Sequence, residues 1–283
     1  MHFLNKLNLN MINKKTREAQ KAYNNDDVAE SKYVHDLYHS LDKHEESHSL
    51  NRDNLKTIIF GSLDGIITIF AIVSGCVGAK ITQSQVIIIG TGNLFANAIS
   101  MGFSEYTSTI AQRDFMLAEK KREEWEIENC PTEEKQEMID IYMNKYKFPS
   151  ADAKNLVEIT FRNKNFFLEH MMSEELGLIV TNNDKNEPLK KGFLMFLSFC
   201  VFGFIPLSAY VAYTAFFHYI NYYASFLVVS GSTLITLFIL GLFKSQFTNQ
   251  KPIICALYMV LNGSVAGMVP YLFGYLLKNN LTE

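Results

Sequence analysis

Residues 57–79 read TIIFGSLDGIITIFAIVSGCVGA, a run with one charged side chain, Asp64. About 20 apolar residues are enough for a helix to cross the hydrocarbon core of a bilayer. Four further runs of this kind follow at 86–107, 192–214, 219–243 and 252–277, almost free of charge. A soluble all-α core is the alternative, but several near-uncharged runs of such length argue against it. The expected fold is an all-α membrane protein with five transmembrane helices. The 283-residue chain has a mean hydropathy of only +0.02 because charged stretches separate these runs.

The divisions follow the charge. Residues 1–55 form a polar tail, 56–107 carry helices one and two, 108–191 form a charged insert, and 192–283 carry helices three to five. The tail has no cleavable-signal pattern, so the first span serves as its own insertion signal. A net charge of −3 argues against nucleic acid as a partner. The four cysteines are scattered without a CxxC pair, so neither a disulfide framework nor a thiolate zinc site is indicated. Lys and Arg concentrate in the tail and the insert, while the 80–85 link has only Lys80. The positive-inside rule then places the N-terminus and insert in the cytosol and the C-terminus outside it or in a lumen. Gly61-x-x-x-Gly65 and Gly263-x-x-x-Gly267 would allow close helix approach, although such patterns also arise by chance.

Three helices are expected in the insert. EYTSTIAQRDFMLAEKKREEWEIEN continues span two up to Cys130-Pro131, where proline ends the ladder. TEEKQEMIDIYMNKY reads as the second, with Thr132 as N-cap, and a third runs from Ser150 to Leu176. Glu123 and Glu126 share a face of the first helix, and Glu134 and Glu137 share a face of the second. Met171 and Met172 lie four and three residues before Glu175 on the third. Each helix can therefore offer paired ligands to a common interior. A solvated acidic face is the alternative, and it is the reading adopted for Glu124, Glu128 and Glu133. Glu174 is read as a surface residue, and His170 is left open. Carboxylate with thioether suits a borderline ion such as Fe2+, with Mn2+, Co2+ and Zn2+ as alternatives. No prosthetic group is expected. His170 does not complete the Glu-x-x-His motif of di-iron centres, since Phe167 stands three before it.

Within the membrane, Asp64 is costly unless it faces a partner or a water-filled path. A hydrated acid at a helix end is the other reading. Asn93, Asn97, Met101 and Glu105 recur every four residues on span two and form a stripe aimed at the acidic insert. A packed interface could use the asparagines but would not need Glu105.

The blocks FGSLDGIITIFAIVSGCVGA, ANAISMGFSEYTS, KREEWE, CPTEEKQEM and HMMSEELG, in this order, resemble the vacuolar iron transporter family from about Asp53 onward. The resemblance implies five membrane helices per subunit, homodimers, and exchange of cytosolic ferrous iron for organellar protons. It implies metal-binding roles for Glu123, Glu126, Glu134, Glu137, Met171, Met172 and Glu175. Pathway roles fall on Asp64 and Met101, with Glu105; Asn97, on the same stripe, is counted with them, and Asp53, just before span one, matches an acidic position in the family. No enzymatic activity is expected. The partners implied are divalent metal ions, protons, membrane lipid and a second copy of the chain. The location implied is a vacuole, another acidic store or the endoplasmic reticulum. His35, His39, His44 and His48 depart from the family pattern, and either metal bridging or a solvated tail would account for them. The Lys-, Asn- and Ile-rich composition suggests an AT-rich genome, as in apicomplexan parasites. Two alternatives share these residues: a manganese or broad divalent-metal transporter, and a membrane-bound metal sensor or store without flux.

Overall fold

A computed structural model describes residues 21, 27–39, 49–178, 186–216, 221–248 and 250–281, and all of its regular structure is helical. The chain divides into two units, residues 1–56 and 57–283. In the first, α1 (Val28–His39) is capped by Asp27, whose Oδ1 accepts from the backbone N–H of Ala29 and Glu30. His35 and His39 fall on α1 and Asp53 on the next helix, but their side chains lie outside the described part; His44 and His48 lie wholly outside it.

The remaining helices are α2 (Ser49–Gly78), α3 (Gln83–Asn129), α4 (Pro131–Asn144), α5 (Ser150–Phe161), α6 (Lys164–Glu174), α7 (Glu187–Phe216), α8 (Tyr222–Thr248) and α9 (Pro252–Leu281). Five are long and apolar enough to cross a membrane: α2 from Asn54, α3, α7, α8 and α9. These correspond to the five apolar runs of the sequence. α2 is the most enclosed of them. Its Ile69, Phe70 and Val73 pack with Leu94, Phe199, Leu207 and Val229, and its Ile66 packs with Leu237 and Met259. Lipid tails are as apolar as these side chains, so close van der Waals fit, rather than removal from water, holds such helices together. Gly65 shows the fit: a Cβ there would lie 2.6 Å from the Phe199 carbonyl oxygen of α7. Gly102 of α3 and Gly192 of α7 form a second crossing, each meeting the other's carbonyl oxygen within 3 Å of an added Cβ. The spacing at Gly61/Gly65 and Gly263/Gly267 therefore marks real helix contacts, against α7 for the first pair and against α8 and Phe70 for the second.

Polar side chains within the spans mostly bond to their own helix. Thr233 donates to the Val229 carbonyl, Thr236 to Ser232 and Ser264 to Val260. The four cysteines are unpaired, in keeping with the sequence.

α3 has 47 residues, about 70 Å at 1.5 Å per residue. The hydrocarbon core needs about 30 Å of that. Its C-terminal, highly charged half therefore extends well beyond the apolar part and carries α4 and α6 against it, with α5 packed on α4 and α6. Three expectations need correction here. The predicted helix from Ser150 to Leu176 is two helices, because Asn163 leaves helical geometry (φ −110°, ψ 92°) and its side chain accepts from the Phe166 N–H, capping a new helix. The N-cap of α4 is Cys130, with Pro131 at the first helical position rather than Thr132 as cap. Likewise Pro149, not Ser150, precedes α5 as its cap.

Candidate metal centre

The apolar face of α4 (Met138, Tyr142) meets Ile127 of α3, Ala153 and Val157 of α5, and Phe167, Leu168, Met171 and Met172 of α6. Taken out of water, each of the larger apolar side chains in this set contributes about 1.5–3 kcal/mol. This small core fixes how α3, α4 and α6 face one another, and one edge of it is acidic.

Glu123 and Glu126 on α3 and Glu134 on α4 each offer a carboxylate oxygen, and these oxygens lie within 4.8 Å of one another. Glu123 is 1% exposed and Glu134 5%. Both oxygens of Glu123 and Oε2 of Glu134 are buried without accepting a hydrogen bond. Arg122 Nη2 lies 2.6 Å from Glu123 Oε1, an ion contact outside hydrogen-bond geometry. Leaving such acceptors unsatisfied costs about 1–3 kcal/mol each, so the local sequence has built a place that favours a cation.

The electrostatics agree. Burial, then the charge of Glu175, holds the Glu123 carboxyl at about 7, with Arg122 opposing. Burial, then Glu137 and Glu123, raises Glu134 to about 7. The Glu175 carboxyl is raised by its own desolvation and by Glu137, although the residue as a whole is exposed at the end of α6. Glu137 is likewise exposed. Five carboxylates from three helices thus act on one another: Glu123, Glu126 and Glu134 converge, while Glu137 and Glu175 stand at the rim.

Met171 and Met172 are fully buried in the apolar core. The structure places them among hydrocarbon neighbours, on the helix whose end carries Glu175. His170 is engaged elsewhere, its Nε2 2.7 Å from the Tyr142 hydroxyl and its ring stacked on Phe166. Glu174, read as a surface residue, is half-buried and ion-paired. Its carboxylate accepts from Lys145 Nζ at 2.9 Å and from the Tyr146 hydroxyl, which hold its pKa below the usual range. Glu124, Glu128 and Glu133 are exposed, as expected.

One residue was missed. Met138, four after Glu134 and fully buried, adds a third thioether to the core. Arg122 bonds Glu119 and Glu126 as well as touching Glu123. Its position four before Glu126 was the signal for this contact.

In the spans, Asp64 is half-buried and its Oδ1 accepts from the Thr68 hydroxyl at 3.4 Å. Asn93, Asn97, Met101 and Glu105 are all half-buried, flanking the buried stripe Val86, Gly90, Leu94, Ala98 and Gly102. Met101 packs against the core that includes Ile69 and Phe199. Glu105 accepts from the buried Thr57 hydroxyl of α2 at 3.3 Å, and Asn93 donates to the Ile89 carbonyl.

A family model described as the VIT family matches residues 55–275. A vacuolar iron transporter of Plasmodium falciparum (isolate 3D7) is 82% identical over 273 residues, covering 96% of this chain and all of the relative. One from Toxoplasma gondii is 48% identical over 266 residues, covering 92% of this chain and 88% of the relative. Vacuolar iron transporter 1 of Arabidopsis thaliana is 31% identical over 231 residues, covering 82% and 89%. The chain belongs to the VIT family, the vacuolar iron transporters, and resembles its apicomplexan members most closely among these three.

Proposed function

We propose that this protein moves ferrous iron from the cytosol into a vacuole or another acidic organelle in exchange for protons, as a homodimer. The observation that carries the reading is the union of a three-carboxylate cluster with five apolar helices, joined by the single helix α3. The names of the relatives support iron as cargo and transport rather than enzymatic turnover.

In this reading the N-terminus and the insert of residues 108–191 face the cytosol, and the C-terminus faces the lumen. Glu123, Glu126 and Glu134 take up the ion, with Glu137 and Glu175 raising the local negative potential. Met171 and Met172 give the site its softness by a shift of α6 that brings a thioether forward. The ion then follows the stripe Glu105, Met101 and Asn97 to Asp64. Protonation of Asp64 from the lumen weakens its hold on the ion, because a ligand must be deprotonated to bind. Fe2+ fits carboxylate with thioether; Mn2+, Co2+ and Zn2+ are the competitors to be tested.

The test is uptake of Fe2+ under reducing conditions into liposomes carrying the purified protein, with Mn2+, Co2+ and Zn2+ as competitors. Uptake by wild type and none by Asp64→Ala is expected. Full uptake by Asp64→Ala would overturn the pathway, and binding without any flux would make the protein a sensor or store.

A further inference from the structure

The guanidinium of Arg122 is held on three sides. Nε and Nη2 donate to Glu119 Oε2 at 3.1 and 2.9 Å, and Nη1 donates to Glu126 Oε2 at 2.9 Å. Nη2 also lies 2.6 Å from Glu123 Oε1. Two of its three carboxylate partners are therefore members of the converging cluster, and the third, Glu119, is not. The Arg122 side chain is 46% exposed, so it can leave without unpacking the core.

Building on the capture reading, we propose that Arg122 is a built-in competitor for the metal, a positioning residue that shares Glu123 and Glu126 with the ion and retreats onto Glu119, which it already bonds, when the ion binds. A guanidinium and a divalent cation draw on the same oxygens and cannot both hold them at full strength. Arginine stays charged at every physiological pH, so the competitor itself does not titrate. Glu119 lies one turn before Glu123 on α3, outside the cluster, and gives the displaced guanidinium a place to rest. The consequence is functional. Five neighbouring carboxylates would otherwise hold a divalent ion tightly and release it slowly, whereas a tethered cation that refills the site speeds hand-over to the membrane pathway.

The experiment measures Fe2+ binding to the full-length protein in detergent, under anaerobic conditions, for wild type, Arg122→Gln, Arg122→Lys, Glu119→Gln and the Arg122→Gln/Glu119→Gln pair. Removing the competitor should tighten binding at least about threefold, a size consistent with solvent-exposed ion pairs, and should slow dissociation. Glu119→Gln should weaken binding, because the guanidinium then rests wholly on Glu123 and Glu126. That weakening should vanish in the Arg122→Gln background. Arg122→Lys keeps the charge without the fork and should fall between wild type and Arg122→Gln. Unchanged or weaker binding by Arg122→Gln overturns the proposal, as does a Glu119→Gln effect that persists without Arg122. If Glu123→Gln/Glu134→Gln binds Fe2+ as wild type does, the capture reading itself falls and this inference with it. Tighter binding by Arg122→Gln also distinguishes competition from a merely structural arginine, whose loss would loosen the site.

Discussion

At the scale of single residues, Glu123 and Glu134 bury carboxylate oxygens that accept no hydrogen bond, and only Glu123 Oε1 has an ion contact, with Arg122. Glu123 and Glu134 have pKa values raised from 4.5 to about 7. A raised carboxyl binds its proton more tightly in the folded than in the unfolded chain. Its contribution to stability is therefore fully present below about pH 4.5 and is lost as pH rises through about 7. Without added metal, the thermal midpoint of the purified protein should fall between pH 5.5 and pH 8. Glu123→Gln/Glu134→Gln should flatten that slope, and added Fe2+ should restore the midpoint at pH 8 for wild type alone. A pH-independent midpoint would argue against the burial. The buried methionines allow a second prediction. Met171→Leu with Met172→Leu conserves volume and should cost under about 1.5 kcal/mol per site, while lowering affinity for Fe2+ more than for Mg2+. Equal loss for both ions would remove the thioethers from the site. The sequence revealed the glutamate pairs because their three-residue spacing survives folding as a shared helix face. It did not reveal that Glu174 would be claimed by Lys145 and Tyr146, since these lie 29 and 28 residues away.

At the scale of elements, the helices were legible wherever length and apolarity decided the matter. All five spans were. The insert was harder, because its helices end on local chemistry. Pro131 and Pro149 announce their breaks, but Asn163 breaks a helix in mid-run by capping the next, and asparagine there reads in sequence as an ordinary helical surface residue. Asn163→Ala should cost about 1 kcal/mol through loss of the cap, seen as a lower thermal midpoint. The close crossings make a sharper test. An alanine methyl at Gly65 would strike the Phe199 carbonyl of α7, a backbone atom with little room to yield. Gly65→Ala should destabilise the protein by about 1–3 kcal/mol, and Gly231→Ala, where nothing lies within 4 Å, should not. Equal midpoints for the two variants would contradict the packing of α2 on α7. The polar stripe on α3 was readable from its period of four, whereas its link to α2 through Thr57 and Glu105 needed three dimensions.

At the scale of the whole molecule, the single helix α3 carries both Glu123 and Glu126 of the acidic cluster and the polar stripe from Asn93 to Glu105. In the function proposed above, capture and passage are successive events along this helix, and direction comes from a proton gradient acting on Asp64, which accepts from Thr68. The most direct test follows both ions in one preparation. Liposomes carrying the protein, acidic inside and loaded with a pH-sensitive dye, receive external Fe2+ under reducing conditions. The account predicts that Fe2+ accumulates, that the interior becomes more alkaline in step with it, and that Asp64→Ala loses both signals. Iron entry unaffected by the gradient, or both signals surviving in Asp64→Ala, would contradict it.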